Sequence, residues 1–212
     1  MPSLPVYDIN KKKVGNIDLN DVVFAGEIRP HLLNDAVRAQ IARRYEFRTA
    51  NAFTRTEVHG TRKKMYKQKG TGQARHGDAK APIFVGGGKA HGPKPRQVRH
   101  KINKKVMRAA LISALSLNQK EDRLFVVDKL LLEKASTKVA AGLVKSFGLD
   151  SALIVNTNED KAEINFSRSM KNVGKVKFLK PEGVNVFDLL KYKNLVISQK
   201  AVQKLTERLT HV

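Results

Sequence analysis

The chain has 212 residues, with 41 Lys/Arg against 19 Asp/Glu and a formal net charge of +22. That length holds one ordinary domain with a real core, and the absence of cysteine excludes disulfides and thiolate metal sites. No run of roughly 18 apolar residues is present, so no membrane-spanning helix is expected, and the opening MPSLPVYDINKKK lacks the apolar stretch of a secretory signal.

In chain order, Leu4–Asp8 and Val14–Leu19 predict two short strands joined by the basic turn Lys11–Lys13. A helix is predicted after Pro30, a residue suited to a first turn, with Leu33, Ala36, Val37, Ile41 and Tyr45 on one face and Arg43 and Arg44 at its C-terminal end. The apolar pattern then fades. It resumes with Asn103 as an N-cap and a helix to about Asn118, whose buried stripe is Met107, Ala110, Leu111, Ala114 and Leu115. From there strands and helices alternate. Arg123–Asp128, Ser151–Asn156, Lys175–Leu179 and Asn194–Ser198 read as buried strands. Helices are expected after Ser136 (through Val139, Leu143 and Phe147, stopped by Gly148), near Asp160–Arg168, at Asn185–Leu190, and at Gln199–Leu209 through Val202, Leu205 and Leu209. Apolar, unalternating strands separated by helices argue for an α/β fold with a mainly parallel sheet covered by helices.

Val58 to Lys101 breaks the pattern. It carries twelve Lys/Arg against one acid, Asp78, and eight of the fourteen glycines. No periodic apolar face runs through it. A long insert without secondary structure is either a solvated linker or a functional segment. Because flanking helices anchor both ends, it is an internal loop, and an excess of positive charge this local points to a polyanionic partner. Arg62, Lys63, Lys64, Lys67, Lys69, Arg75, Lys80, Lys89, Lys94, Arg96, Arg99 and Lys101 supply phosphate partners. Tyr66 and Phe84 offer stacking faces, and the glycines allow close backbone approach to phosphate. Out and back, each leg of about 22 residues reaches at most roughly 70 Å, enough to thread a folded RNA. Without RNA such a loop is expected to be disordered.

Enzyme signatures fail. Gly70-Thr-Gly72-Gln-Ala-Arg75 begins like a dinucleotide fingerprint, but Arg75 stands in the third glycine position, with no strand before it and no helix after it. No phosphate-binding P-loop is present. His59, His76, His91 and His100 lack paired metal-ligand spacing. Ser113 and Ser116 lie on a predicted helix, outside any nucleophile elbow. An RNA-modifying enzyme would need a glycine turn after Val127, Val155, Leu179 or Ile197, and none follows. Adsorption to an anionic membrane would need a basic amphipathic helix with aromatic anchors, also missing. No cofactor, metal or small-molecule substrate is expected.

Lys63–Gly72, Ala74-Arg75, Gly86–Gly88 and Gly92–Arg96, followed by Asn103–Lys105 leading into Ala109–Ser116, resemble the bacterial-type ribosomal large-subunit protein four family in order and spacing. The resemblance extends over nearly the whole chain. It implies one α/β domain, with a body formed by about 1–47 and 102–212, and an extended rRNA-binding loop over 48–101. The implied role is structural and non-enzymatic: a cytoplasmic protein of the large subunit that binds large-subunit rRNA and supports early assembly. Its loop tip would help line the nascent-peptide exit tunnel, beside neighbouring ribosomal proteins and the passing nascent peptide. The implied tip is Arg62, Lys63, Lys64, Met65 and Tyr66. The implied rRNA-binding set is Arg62, Lys63, Lys64 and Tyr66 with Lys67, Lys69, Gly70, Gly72, Arg75, Lys80, Lys89, Lys94, Arg96, Arg99, Lys101, Lys104 and Lys105. Three positions depart from the family pattern: Met65 and Tyr66 stand where Pro and Trp are usual, and Gln73 where a basic residue is usual.

Overall fold

A computed structural model describes residues 2–44, 49–95 and 100–210. The chain divides into two units, Met1–Gln40 with Lys101–Val212, and Ile41–His100. The first is the α/β body. Its strands are β1 (Ser3–Tyr7), β2 (Lys13–Asp18), β3 (Leu124–Val127), β4 (Ala152–Val155), β5 (Val176–Leu179) and β6 (Asn194–Ser198). They form one sheet in the order β2-β1-β3-β6-β4-β5. The β1–β2 hairpin is antiparallel and every other pairing is parallel. The helices are α1 (Asp21–Phe24), α2 (Pro30–Arg44), α3 (Lys104–Lys120), α4 (Thr137–Phe147), α5 (Lys161–Met170), α6 (Val186–Lys191) and α7 (Gln199–Thr210), with a 3-10 turn at Pro181–Gly183.

The central strands are apolar on both sides because both sides are covered. Along β4, Leu153 and Val155 join one core cluster while Ala152 and Ile154 join the other. Along β6, Leu195 and Ile197 face the first cluster and Val196 the second. The first cluster also holds Leu33 and Ala36 of α2, Ala110, Leu111, Ala114 and Leu115 of α3, and the buried faces of α6 and α7. The second holds Ala140, Leu143 and Phe147 of α4 with Phe166 and Met170 of α5. The crossovers through α4 and α5 thus step outward over one face, and α6 returns over the other to place β6 between β3 and β4. One crossover hand requires that change of face when the direction reverses.

Small and polar residues let α1 seat on α3. A Cβ on Gly26 would come within 2.8 Å of the Ile112 side chain. Ser116 Oγ donates to the Val23 carbonyl at 3.3 Å, and Ser113 Oγ to that of Glu27 at 3.0 Å. Asp188 is buried on α6, where its carboxylate accepts from Lys177 Nζ and from Asn185 Nδ2 at 2.7 Å. A buried carboxylate is tolerable only with such partners.

Several expectations need correcting. On α4, Leu143 and Phe147 are buried as predicted, but the third buried residue is Ala140 in place of Val139, which is 50% exposed. Ile41 is exposed rather than buried, and Tyr45 lies outside the described residues. Asn103 and Ser136 have extended N-cap backbones, but neither side chain makes a capping hydrogen bond. Gly148 does stop α4, at φ 67° in the left-handed region. Helix α1 and the 3-10 turn were not anticipated.

The second unit, Ile41–His100, contains no strand and, beyond the last turn of α2, no helix among its described residues. The backbone of this unit bonds to itself. Ala52 N–H donates to Pro93 O at 2.8 Å, Lys89 N–H to Phe53 O at 2.7 Å, and Gly88 N–H to Lys80 O at 3.0 Å. Ala52, Lys80 and Gly88 are buried. Close glycine contacts and turn hydrogen bonds supply the order that an apolar face supplies elsewhere.

Candidate nucleic-acid interface

The basic unit has a hydrogen-bonded base and a looped tip. At the base, Thr54-x-x-Glu57 has capping-box spacing, and Glu57 Oε2 accepts from Thr54 N–H at 2.9 Å. Lys94 Nζ donates to the same carboxylate and, at 3.3 Å, to Asn51 Oδ1. The Lys94 hydrogen bond, then that of the Thr54 N–H, holds the Glu57 carboxyl below its ordinary value of 4.5. Asp78, the lone acid of 58–101, lies 3.9 Å from Arg55 Nε, an ion pair beyond hydrogen-bond reach.

The tip is closed by Met65 N–H to Gly77 O at 2.9 Å and by the Tyr66 hydroxyl to Ala74 O. Gly70 and Gly72, at φ 85° and 68°, occupy left-handed conformations that side chains resist, so the turn after Lys69 depends on glycine. An aromatic ladder joins tip to base. His76 meets Tyr66 edge-on at 6.3 Å between ring centroids and Phe84 at 4.9 Å.

Arg62, Lys63, Lys64, Lys67, Lys69, Arg75, Lys89 and Lys94 are exposed along this unit, with Met65 exposed and Tyr66 half-buried at the tip. Lys80 differs: it is only 7% exposed, and its stem runs beneath Gly60, whose Cβ would lie 3.5 Å away. Arg96 and Arg99 lie outside the described residues. In the body, Lys101, Lys104 and Lys105 are exposed at the start of α3. Asp78 was visible in the sequence as the lone acid of 58–101, but neither Arg55 nor Glu57 stood out; the Thr54–Glu57 spacing was the signal available for the first turn.

A cavity in the body lies where α/β sheets take ligands, at the carboxyl ends of β3, β4 and β6. It measures about 340 Å³ and is lined by Asp128, Lys129, Asn156, Asp160, Glu163 and Lys200 among others. Glu163, its buried carboxylate, already accepts from Thr157 Oγ1 at 2.9 Å and Glu159 N–H at 2.7 Å, with Lys200 Nζ at 3.9 Å. No glycine-rich turn follows these strands. Among the described residues no group of three or more His, Asp or Glu side chains could hold a metal, and no helix is long and apolar enough to cross a membrane.

The described residues form an α/β body and a second unit that is cationic and glycine-rich. The chain belongs to the Ribosomal protein L4/L1 family, which residues 17–208 match. It is 45% identical over 205 residues to the large ribosomal subunit protein uL4 of Geotalea daltonii, covering 97% of both chains. It is 44% identical, with the same coverage, to uL4 of Geobacter sulfurreducens. To uL4 of Desulfatibacillum aliphaticivorans it is 41% identical over 209 residues, 99% of this chain and all of the relative. Like its family, it is a structural, non-enzymatic ribosomal protein.

Proposed function

We infer that this protein is a constituent of the large ribosomal subunit in the cytoplasm. Its loop over 48–101 binds large-subunit rRNA and supports early subunit assembly, while the body formed by about 1–47 and 102–212 anchors it. The loop tip, Arg62 to Tyr66, helps line the nascent-peptide exit tunnel beside neighbouring ribosomal proteins and the passing peptide. The rRNA contacts are those of the exposed cations of the tip and legs, of Arg96 and Arg99, and of Lys101, Lys104 and Lys105. The observation that carries this reading is the row of exposed cations on a hydrogen-bonded, glycine-shaped segment, in a chain whose relatives are named for the large subunit. Such a row suits phosphate contact along a backbone.

Co-sedimentation tests it. The protein should travel with the large subunit and leave only at high salt or in denaturant. Recovery free in the soluble fraction, with salt-insensitive RNA affinity, would overturn the reading. For the tip, deletion of Arg62–Gly72 should leave the body folded and docked but change the passage of an arrest peptide. Unchanged arrest would remove the tunnel assignment.

A further inference from the structure

The basic unit contains a cavity with Lys89, one of its exposed cations, in the lining. It measures about 490 Å³ and is lined by Asn51, Ala52, Phe53, Glu57, Val58, His59, Gly86, Gly87 and Lys89. That volume falls within the roughly 300–1,000 Å³ of small-ligand sites. Its walls are fixed by the structure already described. Lys89 N–H to Phe53 O and Gly87 N–H to Phe84 O hold two sides, and the Thr54–Glu57 turn holds the third. At Gly87 a Cβ would lie 2.1 Å from the Ala81 carbonyl oxygen, so this turn keeps the backbone close on that side.

The lining is chemically uneven. Phe53 is 61% exposed, a large aromatic left open in the most cationic part of the chain. The Glu57 carboxylate, held in its charged form by Lys94 and Thr54, is an acceptor at neutral pH. Lys89 is exposed on the rim. An aromatic face, an anionic acceptor and a cation match the three parts of one nucleotide: the base plane, an amino-bearing base edge and the phosphate.

We propose that this cavity takes a single unstacked nucleobase of the bound RNA. The base lies against Phe53, its exocyclic amino group donates to Glu57, and its phosphate meets Lys89. The proposal rests on the rRNA-binding reading above and adds a base contact to a surface otherwise suited to backbone contact.

The test uses the full-length protein and large-subunit rRNA of the same organism, with binding measured across a salt series and base accessibility by chemical probing. Phe53→Ala should weaken binding by about 5- to 150-fold, the range for removing one base–aromatic stack. The salt slope should stay unchanged, because no phosphate contact is lost. Phe53→Tyr should restore affinity. One unpaired base protected by the unmodified protein should become reactive with Phe53→Ala, whereas Lys89→Ala should flatten the salt slope and leave that base protected. If the unmodified protein binds with a normal salt slope and Phe53→Ala binds equally well with no change in base reactivity, the base site is overturned and the rRNA reading stands. If the unmodified protein shows no salt-dependent binding, both fall.

Discussion

Gly88 sits against Arg55 so closely that a Cβ on Gly88 would lie 2.3 Å from the Arg55 backbone nitrogen. Backbone cannot yield as a flexible side-chain end can, so the contact fixes the two legs of the basic unit together. Gly88→Ala should therefore lose amide protection at Ala52, Gly88 and Lys89 in hydrogen exchange on the free protein, while the main thermal transition of the body is retained. Protection equal to that of the unmodified protein would mean the legs are not joined this way.

Lys80 and Lys67 should respond differently although both are cations of the same loop. Lys67 is exposed, and Lys67→Ala should reduce the salt slope of RNA binding by about one contact without altering the fold. Lys80 is buried along its stem. Lys80→Ala should loosen the Gly88 amide, which bonds to the Lys80 carbonyl, and Lys80→Met, which keeps the stem, should preserve it.

Glu57 gives a pH signature. Its carboxyl is held below 4.5 by the Lys94 hydrogen bond and the Thr54 N–H. A depressed folded-state value means that the clamp stabilises the turn above about pH 4.5 and is lost as pH falls through the lower folded value. Carboxyl titration followed by NMR should place Glu57 below 4.5, and Lys94→Met should move it up. A Glu57 titration at the ordinary value, unmoved by Lys94→Met, would contradict the clamp.

In the body, Ile154→Ala should cost about 2–5 kcal/mol in denaturant unfolding, as expected for truncating a fully buried side chain. Val139→Ala should stay within about 0.5 kcal/mol, because that side chain is half open to solvent. A Val139→Ala cost in the range of a buried truncation would mean that Val139 packs inward, as the predicted stripe placed it.

For RNA binding as a whole, contact between phosphates and about half of the twelve cations of 58–101 gives a slope of log K against log salt of about −4 to −5. A slope near zero would show that the charge row is not the binding surface.

The body was legible because its signals are periodic. The apolar run Ala152–Val155 announced a strand buried on both faces, and the Val202, Leu205, Leu209 spacing announced the inner face of α7; both are seen. On α4 the true stripe is Ala140, Leu143 and Phe147, and alanine is too small to outweigh the neighbouring Val139 in a hydrophobicity pattern. Strand order was not legible, since parallel strands are joined by crossovers that do not record their neighbours. In the basic unit, charge pointed to the exposed cations. The hydrogen bonds from Ala52 to Pro93 and from Lys89 to Phe53 join residues far apart in sequence with no apolar repeat between them, so nothing in the pattern announced them. For the same reason Lys80 read as one more phosphate partner, although its stem is buried.

The place of β6 sets an order of events during synthesis. Strands β3 and β4 are not neighbours; β6 bridges them, with Leu195 opposite both Leu124 and Leu153. On a chain emerging from its amino end, the sheet remains in two unjoined parts until residue 198 is available. The cationic segment is complete some hundred residues earlier. The cationic segment is therefore complete before the sheet of the body can close.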